Sequence, residues 1–204
     1  MPDDTDRRRL LQAAAALAFS PASSGAQPSP AEAAEPQPGP AMTSTPPATR
    51  TPGKPGDFDF LSGRWKILNH KRRSGPNGSF WDVFEGEATV NAILAGICSV
   101  EELRIPARKF SGMGLRLLDV KKAQWSDFWV NAASGELGAE GLPGSFEGGA
   151  GIFQNEEDDN GVKVLYRSVW DRITPTSCRW QQGASRDGGR AWVLDWSMDW
   201  TRQG

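Results

Sequence analysis

Past residue 63 the chain is a succession of short runs in which apolar and polar side chains alternate, broken at short intervals by Gly, Asn, Asp or Pro. Alternation with a period of two sets one face of a strand against a core and the other toward water, whereas a helix needs apolar residues three and four apart. The helical spacing is nowhere sustained, so the pattern predicts an all-β domain. The last run is the clearest: Trp192, Leu194, Trp196, Met198 and Trp200 fall on one face, and Val193, Asp195, Ser197, Asp199 and Thr201 on the other. Val162, Val164, Tyr166 and Trp170 alternate in the same way with Lys163, Arg167 and Asp171, as do Cys178, Trp180 and Ala184 with Arg179, Gln181 and Ser185. Strands are predicted over 65–72, 80–90, 97–105, 112–120, 125–131, 149–154, 162–170, 177–185 and 192–202.

The turns between these runs carry the residues that tolerate positive φ. Gly75-Pro76-Asn77-Gly78, Asp159-Asn160-Gly161 and Asp187-Gly188-Gly189 are hairpin signals. Short turns between successive strands read as an antiparallel up-and-down meander. Closing it into a barrel of about eight to ten strands removes its exposed edges. Gly86 and Gly96 would serve as bends. Ser185 to Trp192 matches the Asp-box pattern Ser-x-Asp-x-Gly-x-x-Trp, in which Asp187 caps turn amides and Trp192 packs beneath, a structural role. A propeller would repeat the unit blade after blade, and it occurs once here. The glycines of 135–151 lack the strand, lysine and helix of a phosphate loop. They read as one long loop over 133–148, either a flap over the barrel mouth or a surface loop without a role.

Ahead of the first strand stands Asp57-Phe58-Asp59-Phe60-Leu61-Ser62-Gly63-Arg64-Trp65, whose apolar residues are too irregularly spaced for a strand alone. A short helical turn followed by a strand entered through Gly63 accounts for them. This opening resembles that of lipocalin-like (calycin) β-barrels. With the tryptophan-rich strands and the closing Asp187-Gly188-Gly189, Trp192, Trp196, Met198-Asp199 and Thr201-Arg202, the resemblance runs over 57–204, to an uncharacterised bacterial family of single-domain calycin-like barrels. It implies a lipocalin-like barrel in which Trp65 plugs one end and Arg202 covers it. It implies almost nothing about activity, because one fold hosts unrelated functions.

Composition divides the chain before this domain. Arg7, Arg8 and Arg9 precede an apolar run over 10–19 and the small residues Ser24-Gly25-Ala26, the order of a signal peptide over 1–26. The register of Asp6-Arg7-Arg8-Arg9-Leu10-Leu11 resembles a twin-arginine signal, with Asp6 and Gln12 departing from its pattern. A periplasmic or otherwise exported protein is expected. The apolar run is about half the ~20 residues a membrane span requires, so the mature chain is expected to have no transmembrane segment. Residues 27–56 are rich in Pro, Ala, Ser and Thr and read as a disordered linker, leaving 57–204 as one domain. The net charge of −2 comes with no basic stripe, which argues against nucleic acid as a partner. Lys71-Arg72-Arg73 and Lys121-Lys122 read as solvated strand ends. Cys98 and Cys178 are the only cysteines. Two buried thiols are the first reading and a disulfide the second.

Chemistry is narrowed mainly by absence. His70 is the only histidine, it falls on the alternation opposite Trp65, and no metal-ligand spacing accompanies it. Related haem-binding barrels use a histidine late in the chain, where none occurs. No cofactor, metal site or catalytic residue is assigned. With Trp65, Trp129, Trp180 and Trp196 facing inward, Asn69, Asp127, Tyr166 and Gln182 share their faces, and Glu101 and Arg116 join them without an assignable parity. Buried polar groups need partners, which are one another, water or a ligand. The leading expectation is therefore a binding barrel. It would hold a small hydrophobic or amphiphilic molecule using Asn69, Glu101, Arg116, Asp127, Trp129, Tyr166, Trp180, Gln182 and Trp196. The alternatives are a cofactor-independent isomerase, cyclase or hydrolase using inward carboxylates or Tyr166, and a filled barrel whose outer surface binds a protein. The sequence does not fix the oligomeric state.

Overall fold

The computed structural model describes residues 51–76 and 78–204. The expected signal region, the linker up to residue 50 and Asn77 of the first hairpin lie outside the described residues. Ten antiparallel strands follow one another around a closed barrel: β1 (Gly63–Gly75), β2 (Gly78–Ile93), β3 (Cys98–Ile105), β4 (Phe110–Asp119), β5 (Gln124–Asn131), β6 (Leu142–Glu147), β7 (Ala150–Asp159), β8 (Val162–Asp171), β9 (Ser177–Ser185) and β10 (Val193–Gln203), the last pairing with β1. No helix among the described residues is long and apolar enough to cross a membrane.

One end of the barrel is closed by the chain that leads into it. Phe58 and Leu61, at a 3-10 turn over Asp59–Leu61, are almost wholly buried. The Phe58 ring lies 5.0 Å from Trp125 and 4.9 Å from Phe146, edge to face, so the plug packs into an aromatic cluster. Docking begins before the turn: Gly53 N–H donates to Ala123 and Gly56 N–H to Gly96. Arg202 lies with its guanidinium carbon 4.2 Å from the Trp65 ring centroid and donates to the carbonyls of Ser62, Phe60 and Pro175. Gly63 explains the Gly-x-Trp opening. Its φ is +125°, and a Cβ there would meet Arg202 Nη1 at 2.6 Å.

The sequence reading missed one strand. β6 lies inside the stretch read as a loop over 133–148, because Pro143, Gly144 and the glycines beside it break the alternation. Those glycines serve packing. A Cβ on Gly144 would collide with Phe153 and the Ile152 carbonyl, and one on Gly151 would lie 2.8 Å from the Phe146 ring. Aromatic side chains lie flat over the backbone there, and only glycine leaves them room. The loop that remains spans 132–141.

A second correction concerns the last strand. A register shift between Leu194 and Trp196 puts Leu194 opposite Gly183 and Trp196 opposite Gln182. Asp195 is the extra residue of this bulge. Trp192 and Leu194 therefore do not share the inward face of Trp196, Met198 and Trp200. A bulge reverses side-chain parity along its own strand, and nothing in the alternation announces it. The turn ahead of it has Asp-box geometry: Asp187 accepts from the N–H groups of Arg190 and Ala191, and the Trp192 indole donates to Gly189 O. On the outer wall the Arg167 guanidinium lies 4.1 Å from the Trp192 ring.

Candidate functional site

The register settles which side chains enter the barrel. Starting from Trp65, whose partners are Ala88 and Arg202, the inward positions are the odd residues of β1, β3, β5 and β7 and the even residues of β2, β4, β6, β8 and β9. All nine residues expected to bind a ligand point inward, Glu101 and Arg116 among them. They form two clusters, with Trp129 and Tyr166 outside both.

The first cluster lies above the plug. Glu101, Arg116 and Asp127 come from three successive strands, β3, β4 and β5, where Arg116 is paired directly with Asp127 and Glu101 with Gly114. Gly114 allows the arrangement, since a Cβ there would meet Arg116 Nη2 at 3.0 Å and Glu101 Oε2 at 3.1 Å. Arg116 Nη2 donates to Glu101 Oε2 at 2.5 Å, and both side chains are almost wholly buried. Arg116 Nε stands 3.4 Å from Asp127 Oδ1 but is not aligned for a hydrogen bond, and Nη1 has no partner. The guanidinium carbon is 5.2 Å from the Trp170 ring and 5.6 Å from Phe58. Burial pushes the Asp127 carboxyl up to about 6; the Arg116 guanidinium opposes the rise and the Glu101 carboxylate adds to it.

The second cluster joins β1, β9 and β10. The Trp196 indole donates to Asn69 Oδ1 at 3.1 Å and meets Trp180 edge to face at 5.8 Å. Lys71 Nζ lies 3.8 Å over the Trp196 ring. The bulge brings in Asp195, to which Gln182 donates at 3.3 Å. Burial lowers the Lys71 ammonium to about 8 against the pull of Asp195, with Arg73 adding to the fall. Burial likewise raises the Asp195 carboxyl, opposed by Lys71 and Gln182.

Lys71 corrects the reading of Lys71-Arg72-Arg73 as solvated: its side chain is buried inside the barrel, and only Arg72 is exposed. Parity held the signal, because Lys71 shares the alternation of Trp65, Ile67 and Asn69. Asp195 was beyond such reasoning, since only the bulge turns it inward. Trp129 lies across Gly112 and stacks on Phe110 at 6.4 Å. Tyr166 faces Asn155 and Ala184 across its neighbouring strands. His70 is on the outward alternation, with Nε2 3.8 Å from Asp199. Cys98 and Cys178 are both free and buried, on opposite alternations of β3 and β9, and burial pushes the Cys178 thiol up to about 12.

Several polar atoms on the inner wall have no hydrogen-bond partner among the described residues. Among the described residues, the buried unpartnered side-chain atoms other than Ser62 Oγ and His70 Nδ1 all belong to inward positions. The donors are Asn69 Nδ2, Arg116 Nε and Nη1, and the indole N–H groups of Trp129, Trp170 and Trp200. The hydroxyls of Ser99 and Ser168 and the amide oxygen of Asn155 complete the set. Three of the donor side chains are neighbours: Arg116 faces Trp170, whose ring lies 5.4 Å from Trp200.

A scan against protein families finds no match, and a search of curated proteins finds none either. Among solved structures, the fold is similar to a protein of unknown function from the DUF3598 family of Nostoc punctiforme, with a TM-score of 0.40 and 14% identity over 77% of this chain and 53% of that one. The chain thus spans about half the length of that neighbour.

Proposed function

We propose that this chain is an exported barrel that holds a small, partly apolar molecule between tryptophan walls, with a few interior polar groups setting its orientation. The observation that carries this reading is the gathering of unpartnered polar atoms on the inner wall. Each buried polar group left unmatched costs about 1–3 kcal/mol, and a core selected for stability alone would bury Leu, Ile and Val instead. Bound water meets part of this demand in many proteins. The Trp170 and Trp200 indoles beside the Arg116 guanidinium suit a flat apolar body with an acceptor oxygen at one end. Export is supported by the order of basic, apolar and small residues over 1–26, and puts the mature terminus near Gln27.

Intrinsic fluorescence titrated with a panel of planar amphiphiles tests the binding. Trp129→Ala and Trp196→Ala are expected to weaken binding more than they lower the melting temperature. Quenching by no compound, together with a collapse in melting temperature for both variants, would leave a barrel packed for stability alone. N-terminal sequencing of the protein from outside the cytoplasm tests export, and unprocessed chain found only in cytosol counts against it.

A second reading, a cofactor-independent enzyme, has one observation in its favour. Asp127 is raised to about 6 in the same cluster as Glu101, a setting suited to a general base near neutral pH. In that case Asp127→Asn abolishes turnover while ligand still binds.

A further inference from the structure

The interior donors say more about the ligand than that it has a polar end. We propose that its polar end is an uncharged oxygen acceptor, a ketone, amide, ester or ether, seated on the buried, unpartnered Nη1 of Arg116, and that Glu101 and Asp127 exclude carboxylates of the same shape. This rests on the binding reading above.

The argument is one of charge and of hydrogen-bond supply. Arg116 spends Nη2 on Glu101 and turns Nε obliquely to Asp127, which leaves Nη1 with no acceptor. The Trp170 ring under the guanidinium and the Trp200 ring beyond it carry further unpartnered N–H groups. These N–H groups have no acceptors among the described residues, and ligand oxygens supply them. A carboxylate would also supply them, but the one guanidinium already faces two carboxyl groups. Cys178 on β9 is held as a neutral thiol by burial, and the plug and β8 contribute the rings of Phe58 and Trp170; Arg202, whose charge also reaches Cys178, is opposed there by Asp171 and taken up by the carbonyls of Ser62, Phe60 and Pro175. Beside the two carboxyl groups, a ligand carboxylate would be a third acidic group against one guanidinium in a largely buried site, where charges a few ångströms apart are weakly screened. An uncharged carbonyl meets the same donors without that repulsion. Protonation of Asp127 removes one negative charge, so discrimination is strong above its titration near pH 6 and weakens below it.

The test is a matched pair of probes, 2-naphthamide and 2-naphthoate, titrated calorimetrically into the mature protein at pH 8.0 and pH 5.0, where the naphthoate stays largely ionised. At the higher pH the amide is expected to bind at least about tenfold more tightly than the carboxylate, with the gap narrowing at the lower pH. Glu101→Gln and Asp127→Asn, which keep shape and remove charge, are each expected to improve naphthoate binding at pH 8.0 more than naphthamide binding, and Asp127→Asn also to flatten the pH dependence. Naphthoate binding as tightly as naphthamide at pH 8.0, or a preference unchanged in both variants, overturns the assignment while leaving the carrier reading in place. Binding of neither probe to a protein that other amphiphiles quench overturns the assignment too. Absence of binding by every compound overturns both.

Discussion

Replacing Asp127 with Asn tests the electrostatics of the site through stability, without knowledge of the ligand. The carboxyl has an ordinary value of 3.8 and is pushed up to about 6 in the folded barrel, first by burial and then by Glu101, with Arg116 opposing. Between those values the folded protein holds a proton that the unfolded chain has released, so stability falls as pH rises through the window. The shift is roughly 2 units, each worth about 1.36 kcal/mol, so the ionised carboxylate costs the fold on the order of 3 kcal/mol above pH 6. The side chain is 16% exposed, so little of this is lost to solvent screening. Asn mimics the protonated acid. The variant is therefore expected to match the wild type near pH 4 and to exceed it by about 2–3 kcal/mol at pH 8. Urea unfolding of both proteins at matched pH reads this as a difference in midpoint at constant slope, and other titrating groups cancel in the comparison. Equal stability at pH 8, or a difference that does not grow between pH 4 and pH 8, would refute the placement of Asp127 in a closed site beside a second acid.

Two further substitutions test the frame that holds the site. Arg202→Ala removes the stack on Trp65 and the donors to three carbonyls around the plug, and is expected to cost about 2–4 kcal/mol in urea unfolding. Arg202→Lys should recover only part of this, because an ammonium cannot span carbonyls on both sides; full recovery would show that charge alone matters. Gly144→Ala sets a methyl against the Ile152 carbonyl and the Phe153 ring, and is expected to cost about 1–3 kcal/mol in a thermal melt. An unchanged melting temperature would mean that β6 is not packed as described.

The alternation of apolar and polar residues was enough to define an all-β meander, and the Gly, Asn and Asp turns set most strand ends, since both signals are local. Asn160 and Gly161 have φ of 56° and 82°, as a tight hairpin demands. The same parity put Asn69, Asp127, Tyr166 and Gln182 on the inward face, and read with equal care it would have included Lys71. Three features were decided by contacts between strands. β6 is a strand because Phe146 and Phe153 need glycine backbones to lie on, and a glycine count looks the same whether the space is filled by an aromatic ring or by water. Asp195 enters the barrel through a bulge, an offset between two strands that neither strand's own pattern encodes. The grouping of Glu101, Arg116 and Asp127 depends on the register of β3, β4 and β5. Barrel closure sets that register, and with it the charge that faces any molecule in the interior.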